Sequence, residues 1–149
     1  MTDTYALEGK TAIVTGGGKG LGKTLAQFLL EAGMNVAICG RTETAVMQTV
    51  EQFDALFPGN VIGQVCDVSK SADVASFVRK VKDTFGELHV LINNSGFGKE
   101  TLIWETSEKA WDEVMDTNVK GTFLMCKEVV PHMINTRKAT LSISLLRRH

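Results

Sequence analysis

Thr15-Gly16-Gly17-Gly18-Lys19-Gly20-Leu21-Gly22 is the stretch that decides how this chain is read. Before it, Lys10-Thr11-Ala12-Ile13-Val14-Thr15 is a short apolar run with β-branched residues, the pattern of a buried strand. After it, Leu21, Leu25, Phe28 and Leu29 recur at i, i+4, i+7 and i+8, which predicts one apolar face of a helix. Gly33 follows the last periodic residue, where a helix closes in the left-handed region. A glycine-rich turn between strand and helix leaves backbone N–H groups uncovered at the positive end of the helix dipole. That combination seats a phosphate or pyrophosphate.

Working outward, strand and helix signals alternate without a linker, a repeat or low complexity. Asn35 to Cys39 reads as a second strand, and Val46, Val50, Phe53 and Phe57 as a second helix closed by Pro58-Gly59. Val61 to Cys66 is a third strand. Val74, Phe77, Val78, Val81 and Phe85 mark a third helix ending at Gly86. Leu88 to Asn93 is a fourth strand, and Ala139 to Leu145 a fifth. Between those two, Trp111, Val114, Met115, Val119, Phe123 and Cys126 are expected on one face of a long helix. Strands alternating with helices of this length imply right-handed crossovers and a parallel sheet covered on both faces. The fold class is therefore α/β, a Rossmann-type doubly wound parallel sheet.

Bulk properties fit one such domain, placed at residues 7–149. A chain of 149 residues that is 44% hydrophobic suffices for one core, burying about 68–70% of its unfolded surface. A net charge of −1 with interleaved signs gives no footprint for nucleic acid or membrane. No apolar run reaches the ~18 residues of a membrane span. The opening Met1-Thr2-Asp3-Thr4-Tyr5 lacks signal-peptide character, so a cytoplasmic location is expected. Cys39, Cys66 and Cys126 form no C-x-x-C pair and read as free thiols in a reducing compartment, with no metal site.

In a doubly wound sheet, ligands gather outside the carboxyl ends of the strands. The second strand ends Ile38-Cys39-Gly40-Arg41. A free ribose 2′-hydroxyl calls for a carboxylate there, and Gly40 stands in that place. The Arg41 guanidinium suits a 2′-phosphate, with Lys19 as a second positive charge, so NADP(H) is favoured over NAD(H). The third strand ends Cys66-Asp67-Val68-Ser69, where Asp67 accepts from an adenine amino group and the Val68 N–H meets a ring nitrogen. Asp67 or Ser69 as a cap of the third helix is a compatible role. The fourth strand ends Asn93-Asn94-Ser95-Gly96; its amides tie strands or touch the ribose, and Gly96 permits close approach.

The general fingerprint G-x-G-x-x-G is not met, since from Gly16 it demands glycine where Leu21 stands. The pattern present is T-G-x-x-x-G-x-G, with glycines at 16, 20 and 22. With Asn93-Asn94-Ser95-Gly96 and Asn118-Val119-Lys120-Gly121-Thr122, it resembles the classical short-chain dehydrogenase/reductase family over residues 7 to about 135. Ser95 departs mildly from that family's usual Asn-Asn-Ala-Gly. The resemblance implies NADP(H) contacts from Gly16, Gly18, Lys19, Gly20, Leu21, Gly22, Arg41, Asp67, Val68, Asn94 and Gly96. It also implies a soluble, usually homo-oligomeric oxidoreductase acting on a small carbonyl or alcohol, with hydride transfer at nicotinamide C4.

Family catalysis further implies a tyrosine phenol, a lysine four residues later and a serine. A phenol titrating near ~10 needs adjacent positive charge to work at neutral pH. The sole tyrosine here, Tyr5, precedes the first strand, and no Y-x-x-x-K occurs. Asn118 falls within the apolar stripe of its helix, where the bland account is a satisfied structural asparagine. By resemblance it holds the water that links the catalytic lysine to solvent, and that role is favoured. Ser144 is the one candidate for the serine. The chain thus reads as C-terminally truncated after about the fifth strand, inactive alone and prone to aggregate. The alternative is an NADP(H)-binding fragment or subunit without turnover; a structural protein that lost its cofactor fits the four strand ends less well.

Overall fold

The computed structural model describes residues 6–134 and, as backbone only, 140–143. Its strands are β1 (Thr11–Thr15), β2 (Asn35–Gly40), β3 (Val61–Val65), β4 (Val90–Asn93) and β5 (Thr140–Ile143). All pair in parallel, in the order β3-β2-β1-β4-β5. From β1 the chain winds outward through β2 and β3, then returns to the other side of β1 for β4. The order reverses between β1 and β4, and the crevice of a doubly wound sheet opens at that switch point.

Alternation along β1 and β2 builds two cores. Ala12, Val14, Val36 and Ile38 pack with Ala26, Leu30, Val46 and Phe53, from helices α1 (Gly20–Glu31) and α2 (Glu43–Leu56). Ile13, Ala37 and Cys39 point the other way. They meet Phe77, Val78, Met125 and Val129, from α3 (Ser71–Phe85) and α5 (Gly121–Ile134). Every residue of β1 is buried, as a central parallel strand requires. The predicted helix-closing glycines behave as expected, with φ of 80° at Gly33, 78° at Gly59 and 82° at Gly86.

Three expectations are corrected. The core face of α1 is Gly22, Ala26 and Leu30, one residue round from the predicted stripe, and Leu21 and Phe28 are exposed. Glycine and alanine on that face let the helix lie close to the sheet. The fourth strand begins at Val90 instead of Leu88, because the His89 side chain interrupts the ladder: its Nδ1 accepts from Thr11 N–H at 3.1 Å.

The predicted long helix is also not one regular element. It runs as α4 (Glu108–Met115), a π turn (Asp116–Lys120) and α5. The extra residue per turn shifts the phase. Thr117, Gly121, Met125, Val129 and Met133 therefore face inward, while Trp111, Met115, Val119 and Phe123 are exposed. Of the predicted fifth strand, Ala139, Ser144 and Leu145 lie outside the described residues.

Candidate functional site: a cleft at the strand ends

The glycine loop leaves β1 with Gly16 at φ 66°. Gly17 N–H donates to Cys39 O at 3.1 Å, binding the loop to the end of β2. Lys19 is the N-cap of α1 and offers no side-chain cap. Lys23 N–H makes the bond to Lys19 O, so the N–H groups of Gly20, Leu21 and Gly22 have no carbonyl one turn back. Gly22 sits directly on the loop: a Cβ there would lie 2.2 Å from Gly16 O and 2.5 Å from Asn94 Nδ2. Gly20, at φ 56°, has nothing within 4 Å of a notional Cβ. One glycine is needed for contact with the protein, the other leaves open space.

Around this loop lies a cavity of about 470 Å³. It brings together Gly16, Gly18, Lys19, Gly20, Leu21, Arg41, Asp67, Val68, Asn94 and Gly96, from all four strand ends. Gly22, the remaining predicted residue, lies beneath the loop. The volume falls within the usual range of small-molecule sites. Open N–H groups at a helix start, two cations and space beside Gly20 form a donor set suited to a dinucleotide phosphate.

Side-chain hydrogen bonds hold these ends in place. Thr15 Oγ1 accepts from Asn94 N–H and Ser95 N–H, each at 2.9 Å, across the β1–β4 boundary. Asn94 Nδ2 donates to Thr15 O at 3.1 Å and Gly16 O at 3.4 Å, so the predicted strand tie is present. Asp67 Oδ1 accepts from Ser69 N–H at 3.0 Å and Ser69 Oγ at 2.7 Å. This closes a turn before α3, whose N-cap is Lys70 without a side-chain bond, so neither Asp67 nor Ser69 caps that helix. Burial alone would raise the Asp67 pKa. The Ser69 bonds and the positive field of Arg41 and Lys70 outweigh it and hold the carboxyl below its ordinary value. Asp67 is thus an ionised acceptor at neutral pH.

Asn118 lies in the π turn, half-buried, outside the cavity lining. Its Oδ1 accepts from Phe97 N–H at 3.0 Å and its Nδ2 donates to Phe97 O at 2.8 Å. The amide clamps the backbone after β4 rather than its own helix. Ser144 and Tyr5 lie outside the described residues.

Residues 10–142 match the short chain dehydrogenase family. The chain belongs to that family of oxidoreductases. It is 35% identical over 134 residues to the 3-oxoacyl-(acyl-carrier-protein) reductase FabG of Staphylococcus epidermidis, covering 89% of this chain and 54% of that protein. An oxidoreductase of Staphylococcus saprophyticus is 31% identical over 129 residues, covering 87% of this chain and 55% of the relative. Among solved structures, a short-chain dehydrogenase/reductase from Burkholderia phymatum in complex with NAD matches with a TM-score of 0.89 and 31% identity. The match covers 93% of this chain and 49% of that one. This short-chain dehydrogenase chain spans about half the length of the curated relatives it matches.

Several site residues escaped the sequence reading. Thr15 looked like a strand former, and its role depends on a strand 79 residues away. Thr42, Ala45, Val46 and Thr117 line the cleft without a recognisable motif. Phe97 lines it as well, with its ring 5.3 Å from the Arg41 guanidinium carbon. Phe97, Thr101, Leu102, Ile103 and Trp104 follow β4 in the chain. Of these only Phe97 reaches the cleft; Ile103 borders a separate hollow of about 290 Å³, and Trp104 is 77% exposed. Among the described residues no helix is long and apolar enough to cross a membrane.

Proposed function

We propose that the chain serves an NADP(H)-dependent interconversion of a small carbonyl and alcohol, with the cofactor held in this cleft. The cofactor would supply the hydride at its nicotinamide C4. Gly16, Gly18, Gly20, Leu21 and Gly22 bring backbone N–H groups and close approach to the pyrophosphate, Asp67 and Val68 receive the adenine, and Asn94 and Gly96 border the ribose. Asn118 fixes the wall formed by the Phe97 backbone. The water-holding role of Asn118 and the substrate role of Ser144 remain family expectations beside that geometry. Buried free Cys39 and Cys66 suit a reducing cytoplasm.

The observation that carries the cofactor preference is the end of β2. Gly40 leaves no carboxylate for a 2′-hydroxyl, and Arg41 and Lys19 border the same cavity. A phosphate accepts forked, charge-assisted bonds from a guanidinium. Fluorescence titration is expected to show NADPH binding more tightly than NADH. Arg41→Ala should remove about tenfold of that preference, since a hydrogen bond to a charged group contributes about 1.5 kcal/mol or more. Equal affinities in the unmutated chain would reject the reading.

A second reading, NADP(H) binding without turnover, is favoured by one fact: these 149 residues contain a single tyrosine and no Tyr-x-x-x-Lys. A positioned acid or base contributes about 10²–10⁴-fold. The same preparation, given ketones, aldehydes or oxoacyl thioesters, is expected to leave NADPH unoxidised.

A further inference from the structure

Arg41 and Phe97 approach each other from strands on opposite sides of β1. Arg41 follows β2 and Phe97 follows β4, so their contact crosses the mouth of the cleft above the glycine loop. The guanidinium carbon lies over the Phe97 ring, 5.3 Å from its centroid, within cation–π range. The two partners are not equally free. Arg41 is an exposed, long side chain on a turn. Phe97 is half-buried, and both polar groups of its backbone are held by the Asn118 amide.

From this asymmetry we infer that Phe97 is a positioning residue for cofactor selectivity: its anchored ring holds the Arg41 guanidinium at the cleft, ready for a 2′-phosphate. The inference rests on the NADP(H) reading above. A long side chain fixed by a ligand loses rotamer freedom, and a contact that restricts it beforehand removes part of that cost. A guanidinium over a ring engages the aromatic face, while its N–H edge stays available for forked bonds to phosphate oxygens. Asp67, whose carboxylate feels the Arg41 charge, pulls the same group toward the β3 side. The ring therefore also competes with that attraction. The chain of contacts runs from the Asn118 amide in the π turn, through the Phe97 backbone and ring, to Arg41.

The test is a double-mutant cycle on the full 149-residue chain, read as the ratio of NADPH to NADH affinity. Phe97→Leu removes the ring and keeps the bulk. It should lower the ratio about 2- to 5-fold, the size of an exposed cation–π contact. Phe97→Tyr retains the ring and should keep the ratio of the unmutated chain. In an Arg41→Ala background, Phe97→Leu should lower the ratio no further. An unchanged ratio in Phe97→Leu, or an equal loss with and without Arg41, overturns the inference. If Arg41→Ala lowers the ratio and Phe97→Leu does not, only the positioning role fails. If Arg41→Ala itself leaves the ratio intact, the NADP(H) reading fails and takes this inference with it. Titration with 2′-phospho-ADP-ribose against ADP-ribose repeats the comparison without the nicotinamide.

Discussion

Glycine appears at both edges of the sheet, for different reasons. At the carboxyl edge, Gly22 lies on the Gly16 carbonyl and the Asn94 amide, and a Cβ on Gly18 would press within 3.1 Å of the Ala45 backbone. These glycines are required by what they touch. At the amino edge, Gly9, Gly59 and Gly86 precede β1, β3 and β4 with φ between 73° and 82°, and nothing lies within 4 Å of a notional Cβ. They are required by how the chain turns. The carboxyl edge is shaped so that backbones come close together around the cleft. The amino edge only reverses the chain, so a change there acts on folding.

The largest expected effect follows from that contrast. Gly22→Ala must displace backbone of the glycine loop, since the nearest atom is a carbonyl oxygen and not a flexible side-chain end. Overpacking of this kind costs about 1–3 kcal/mol, and each 1.4 kcal/mol is tenfold in affinity. NADPH affinity should fall by about one order of magnitude or more. Gly59→Ala places a side chain in the left-handed region, at a cost of about 1–2 kcal/mol. It should lower the urea midpoint while NADPH affinity in the folded protein holds. Its neighbour contact, Gly59 N–H to Asp54 Oδ1 at 2.9 Å, survives the substitution and keeps the turn in place. Equal losses of affinity in the two variants would erase the distinction between the edges.

The carboxyl edge was legible in the sequence because its residue types are costly elsewhere. Glycines, tandem asparagines and an aspartate at strand ends have few reasons to be there except turns and ligands, and the cleft brings together most of those named. The outer helices were less legible. Trp111, Met115, Val119 and Phe123 form a convincing helical stripe, yet a five-residue π turn buries Thr117, Gly121 and Met125 instead. Periodicity assumes one phase along a helix, and a π turn changes it. The roles of Thr15 and Phe97 depend on contacts between distant strands. No local pattern announces that a strand threonine accepts two N–H bonds from residues 79 and 80 positions away.

The smallest predicted effect isolates the amino edge by pH. His89 Nδ1 accepts from Thr11 N–H at 3.1 Å, which requires that nitrogen to be unprotonated. Burial lowers the His89 pKa below its ordinary value; Glu87, 3.6 Å from Nε2, opposes the shift and Lys10 adds to it. A base whose pKa is lower in the folded state binds protons preferentially when unfolded. Its contribution is therefore complete above the unfolded value near ~6.5 and lost as pH falls through that value toward the folded one. Asp67, at the opposite edge, has its pKa shifted downward, so its contribution is present above the unfolded value near ~3.9 and lost only in stronger acid. Between pH 7.5 and 5.5 the amino edge titrates while that carboxylate does not. Urea midpoints of the unmutated chain should fall over this window by an amount worth about 1 kcal/mol or less, the scale of one hydrogen bond. His89→Asn offers an acceptor that does not titrate here, so its midpoint should fall less. The same fall in both proteins would show that the loss arises from another group and that the Thr11–His89 bond contributes nothing to it.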